Sequence, residues 1–163
     1  MKTLMVRTLI HVLTLIALLS PAWSPAQAEE MTCPPHTPVV IDIRPDSAIN
    51  PINLSAQGLL PVAVLTTQDF DASLFMPEMA HLSDATLALP MGCTGATAVR
   101  WKRGDVNGDG RSDLVFFFNI QDLDLNASST LASLMAHGMY GSTPLHILGT
   151  DSVTIHSKSP GTQ

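Results

Sequence analysis

Basic residues are scarce in this 163-residue chain: 8 Lys and Arg stand against 14 Asp and Glu, a formal charge of −6. A surface of that sign repels a phosphate backbone, which excludes nucleic acid as a partner. Cysteine is nearly absent, with two residues, too few for a disulfide-dense scaffold or a four-thiolate zinc site. Aromatic side chains make up 5% of the chain, so aliphatic side chains and methionine must do most of the packing. Enzyme motifs are missing too. There is no Gly-x-Ser-x-Gly elbow, no His-Glu-x-x-His helix, no phosphate-cradling glycine loop and no Ser-x-x-Lys pair. No catalytic residue is therefore expected, and a hydrolase would need a site assembled from scattered Asp, His and Ser.

Long apolar runs are confined to the front of the chain. Lys2 and Arg7 precede an apolar run over 8–19, and Ala26-Gln27-Ala28 supplies the small residues that a signal peptidase accepts. The run is shorter than the ~20 residues of a spanning helix, and Pro21 and Pro25 break it before Glu29-Glu30. Residues 1–28 read as a signal peptide cleaved after Ala28. Losing Lys2 and Arg7 takes the charge to −8, and no further stretch of spanning length follows. The expected mature chain is exported to the periplasm or beyond, without a membrane anchor.

Export favours pairing of Cys33 with Cys93. Closing that loop would stabilise the fold by roughly 4 kcal/mol in the chain-entropy picture. The alternative, Cys33-Pro-Pro-His36 as half a zinc site, lacks a second Cys-x-x-His or Cys-x-x-Cys pair.

Beyond the leader, glycine and proline recur between short apolar runs, and long helical periodicity is missing. The pattern predicts an all-β fold with strands at 39–44, 60–66, 86–89, 96–102, 113–119, 129–136, 145–148 and 152–156. Eight short strands point to a single Ig-like β-sandwich over 38–157, after a segment at 29–37 and before a flexible tail at 158–163. A helical turn is expected within 71–81. The segment 127–137 is ambiguous by composition and is assigned to strand. Leu114, Phe116 and Phe118 should share one buried face of a central strand, with Phe117 on the other under a covering loop.

Just before that strand lies Asp105-Val106-Asn107-Gly108-Asp109-Gly110-Arg111-Ser112-Asp113. Side-chain oxygens fall at loop positions 1, 3, 5 and 9, and glycine at position 6, where a calcium loop turns sharply. Calcium takes six to eight oxygens. The candidate ligands are Asp105, Asn107, Asp109, Asp113 and the Arg111 carbonyl. Position 12 is Phe116 rather than the glutamate of a helix-loop-helix hand, so the loop must feed a strand instead. An ordinary polar turn would not require three carboxylates at this spacing.

The loop resembles those of FG-GAP and VCBS-type repeats and of dockerins, though a single copy rules out a propeller. A longer resemblance covers about 39–155. IDIRPDSAINPINLSAQGLLPVAVLTTQDFDASLF, the DVNGDGRSDLVFFF stretch and GTDSV resemble a domain common in exported prokaryotic proteins. That resemblance implies export, a β-rich fold and calcium, and nothing catalytic. Asp46 departs from the glycine usual there, and Phe117 from a polar residue.

Two further ligand sets are present. Asp42, Asn50 and Asn53 offer extra oxygens, although an Asp42–Arg44 pair and turn roles for the asparagines are expected instead. Met76, Met79 and His81, with Met135, His137 and Met139, offer thioether and imidazole donors suited to Cu(I), although methionines filling core gaps near the strands are expected instead. On a strand, Met135, His137 and Met139 would share one face. The leading expectation is a calcium-binding module with a structural, adhesive or ligand-binding role toward a protein or carbohydrate. A periplasmic copper-binding protein is the alternative.

Overall fold

The computed structural model describes residues 35–85 and 95–156. The expected signal peptide, the Cys33–Cys93 disulfide, the strand at 86–89 and the tail at 158–163 lie outside these residues.

The described chain is all-β. Its strands are β1 (Thr37–Pro38), β2 (Ile41–Ile43), β3 (Pro51–Asn53), β4 (Leu59–Val64), β5 (Phe75–Asp84), β6 (Ala96–Gly104), β7 (Asp113–Asn119), β8 (Leu131–Tyr140), β9 (Thr143–Ser152) and β10 (Thr154–His156). Eight of them form one curled mixed sheet in the order β1-β9-β8-β5-β6-β7-β4-β2, while β10 and β3 pair separately and in parallel.

The curl has two causes. Strand β6 starts against β5 through His81 opposite Thr97 and Leu82 opposite Ala96, then leaves it to pair with β7 from Ala98 onward. At the other side, β1 runs parallel to β9, and Val39 N donates to Leu148 O at 3.0 Å. One residue later the chain changes neighbour: Leu65 N donates to Val40 O at 2.9 Å, and β2 continues antiparallel to β4. Both ends of the sheet are thus successive parts of one short segment, 37–43.

The core follows from alternation. Leu114, Phe116 and Phe118 stand opposite Val64, Val62 and Leu60, and all six are buried. Strand β7 is flanked by β4 and β6, as its unbroken apolar run requires. Burying each phenylalanine of this face contributes roughly 1.5–3 kcal/mol. Phe117 is half-buried on the other face, and among the described residues its cover is not a loop. Its cover is basic: the Arg100 guanidinium lies 4.1 Å and the Lys102 ammonium 5.6 Å from the ring centre, both from β6.

The expected helical turn shrinks to a single 3-10 turn at Ala72–Leu74, where the Asp71 side chain accepts from Ser73 N. The rest of 71–81 is strand β5. Its period is hidden by a bulge between Pro77 and Met79, so burial falls at Phe75 and then at Ala80, Leu82 and Asp84. Gly138 on β8 makes the bulge possible, because a Cβ there would sit 2.2 Å from Met76 O and 2.8 Å from Pro77 Cα. The segment 127–137 is strand from Leu131 onward, as assigned, and runs to Tyr140.

Gly138→Ala is expected to destabilise the protein by roughly 1–3 kcal/mol or more, since backbone rather than a flexible side chain must yield. Urea denaturation of the two forms measures the difference.

Candidate functional site

Loop 105–112 joins β6 to β7, and its side chains fold back over their own turns. Asp105 accepts from Gly108 N at 2.7 Å through Oδ1 and from Gly110 N at 2.9 Å through Oδ2. Asn107 Oδ1 accepts from Asp109 N at 3.1 Å, and Asp109 Oδ1 from Arg111 N at 2.9 Å. Such Asx turns need tight backbone reversals. Gly108 and Gly110 supply them in the left-handed region, at φ 76° and 82°.

Asp113 differs from the rest. It is fully buried, and its Oδ1 accepts from Thr66 N at 2.8 Å while Oδ2 accepts from Val106 N at 3.0 Å. The Thr66 hydroxyl donates to Ser112 O at 2.7 Å and accepts from Ala72 N at 3.0 Å. One carboxylate therefore ties the loop to the end of β4. Thr66 is the partner that sequence reasoning missed, and no local pattern marks a contact spanning 47 residues.

Asp109 is exposed and faces Arg111, which donates to Oδ2 from Nε at 3.1 Å and Nη2 at 2.9 Å. The Arg111 backbone N–H, and then its side chain, hold the Asp109 carboxyl below its usual range. The donor set suits a hard cation in kind, because Asp105, Asn107, Asp109, Asp113 and the Arg111 carbonyl are all oxygen donors. Each hydrogen-bonded carboxylate oxygen also keeps a second lone pair. The side chains are not gathered. Among the described residues, no three His, Cys, Asp or Glu converge on a metal position, and Asp109 would have to exchange Arg111 for the ion.

The second oxygen set lies elsewhere. Asp42 does not pair with Arg44, whose Nη1 instead donates to Pro51 O at 2.6 Å from a backbone at φ 58°. The positive φ turns Arg44 out of the strand that carries Asp42. Asp42, Asp46, Asn50 and Asp151 line one open groove. Within it the buried Asn50 donates from Nδ2 to Asp151 Oδ2 at 2.8 Å and to Ser152 O at 2.9 Å. Asp151 Oδ2 also accepts from Ile43 N at 3.0 Å, which fastens β2 to the end of β9. Asn53 has the turn role expected of it, accepting from Ser55 N at 3.0 Å. Burial, then Asp151 and Asp46, push the Asp42 carboxyl above its usual range.

The two methionine-histidine motifs are brought together. In the β5–β8 register, Met76 stands opposite Met139, Met79 opposite His137 and His81 opposite Met135. Cys33, the partner of His36 in the half zinc site, lies outside the described residues. The His36 ring centre lies 6.0 Å from that of His146, and burial, then His146, lower the His36 pKa.

Comparison with family models, curated proteins and solved structures found no match to the chain.

Asp113→Asn places an amide where both carboxylate oxygens accept, so one N–H loses its acceptor at a cost of about 1–3 kcal/mol. Exposed Asp109→Asn should stay within roughly 0.5 kcal/mol. Denaturation in excess chelator tests both. For Asp42, folding raises the pKa above 3.8. Its favourable contribution is present below that value and is lost as pH rises through the folded pKa. Asp42→Asn should thus raise the melting temperature at neutral pH, with the gain fading in acid.

Proposed function

We propose that the chain is an exported, calcium-binding β-sandwich module of Ig-like strand order, with a structural, adhesive or ligand-binding role and no catalysis. The strand order supports the sandwich: β2-β4-β7-β6 follows the A-B-E-D order of an Ig domain, and β9-β8-β5 follows G-F-C. The switch of segment 37–43 between β9 and β4 is consistent with a first strand shared by two sheets. A basic start, an apolar run and Ala26-Gln27-Ala28 support export.

The observation that carries calcium is the loop's form: three alternating oxygen side chains, each folded back on its own Asx turn, with both glycines in the left-handed region. Asp105, Asn107, Asp109 and Asp113, with the Arg111 carbonyl, would hold the ion. Calcium would neutralise an acidic loop and favour its closed form over the open chain, with affinity in the ~10⁻⁴–10⁻³ M range of extracellular modules. A rigid loop at the end of the sheet then offers a fixed edge to a protein or carbohydrate partner.

Calcium at ten to a hundred times its Kd should add about 1.4–2.7 kcal/mol of stability. The measurement is the melting temperature of chelated protein before and after calcium is returned. Asp109→Ala should not respond. A wild-type curve that does not move overturns the reading.

A further inference from the structure

Strand β8 buries Ala132, Leu134 and Ala136 and turns Met135, His137 and Met139 to the other face. Its neighbours complete a patch. From β5 come Met76, Met79 and His81 in register with those three residues. From β9 comes His146, directly opposite His137, with ring centres 5.8 Å apart. His36 extends the row, and its Nε2 is buried without a hydrogen-bond partner among the described residues. Two motifs far apart in sequence are thus interleaved rung by rung.

These methionines fill no core, for Met76 is 49% and Met79 45% exposed. The bulge in β5 has an effect here. It adds Glu78 to the strand, which brings Glu78 Oε2 to 3.9 Å from His137 Nε2 while Met79 stays opposite the same residue. Bulges commonly re-aim side chains at functional positions. Two donors are engaged elsewhere: Met76 Sδ accepts from Arg103 Nη2 at 3.1 Å, and His81 Nδ1 lies 3.3 Å from Thr97 Oγ1. Met79, His137 and His146 share one rung across β5, β8 and β9, and Met135 and Met139 flank it two residues away on β8.

We propose that this face binds Cu(I), with Met79, His137 and His146 as ligands and one flanking methionine, Met135 or Met139, as the fourth. Thioether and neutral imidazole are soft or borderline donors, and they select Cu(I) over the oxygen-seeking cations. Directly opposite side chains on paired strands have Cβ atoms ~4.5–5.5 Å apart. Methionine, unbranched and with three rotatable bonds, reaches across such a gap to meet an imidazole. The site is independent of loop 105–113, which contributes no donor to it.

The test is an anaerobic Cu(I) titration against bicinchoninate, whose colour reports the metal it retains. Cys33→Ser and Cys93→Ser are present in every sample, because thiolates also take Cu(I). The protein should withdraw one equivalent. His137→Ala and Met79→Leu should each weaken binding roughly tenfold or more, since loss even of a group behind a ligand costs that much. Their melting temperatures report folding, and Asp109→Ala should bind Cu(I) like the parent, which separates this site from the calcium loop. X-ray absorption should show sulfur scatterers around the copper. The proposal is overturned if no copper is withdrawn, if Met79→Leu binds like the parent, or if only nitrogen and oxygen surround the metal. It is equally overturned if Zn(II) displaces the copper.

Discussion

A single buried carboxylate holds the acidic loop to the sheet. Asp113 has no solvent, and a charge in that position survives only because two backbone N–H groups, from Thr66 and Val106, point at it. Through Thr66 the same junction reaches Ser112 O and the N–H of Ala72, at the start of the turn that leads into β5. Two stretches distant in sequence, 66–72 and 106–113, therefore meet at this junction. The loop's base is fixed before any ion is considered, and the part from Asp105 to Arg111 is left to close over it.

The sheet separates two kinds of donor. Oxygen donors belong to the loop after β6, where Asx turns and glycines hold them in a tight reversal. Sulfur and imidazole donors belong to the outer face of β5, β8 and β9, where pairing register sets their spacing. One set is prepared by local chain geometry, the other by long-range strand pairing. A change in the loop should therefore leave the face as it is, and the reverse should hold as well.

How much could be read in advance follows the range of the forces involved. Strand β7 was legible because five consecutive apolar residues need cover on both faces, and β4 and β6 flank it. The turns of loop 105–112 were legible as a spacing, since the hydrogen bonds accepted by Asp105, Asn107 and Asp109 span five residues or fewer. Strand β5 was not, because the extra residue at Glu78 breaks its alternation and Pro77 argues against a strand. The pairing of Asp42 with Arg44 was misjudged for a backbone reason, a positive φ at Arg44 that no residue preference announces. The role of Asp113 as a clamp was hidden by distance, and so was the meeting of the two methionine-histidine motifs. That meeting depends on a register that only the folded sheet defines.

The parallel pairing of β1 with β9, and of β10 with β3, bears on how the domain would carry tension. A pull that draws the incoming chain away from β1 and the outgoing chain away from β10 acts along these strands in opposite directions. Their hydrogen bonds are then sheared together instead of peeling apart one after another. Asp151 adds a cross-tie from the end of β9, through Ile43 N and the Asn50 amide. The first and the last described strands are thus both held by parallel pairing.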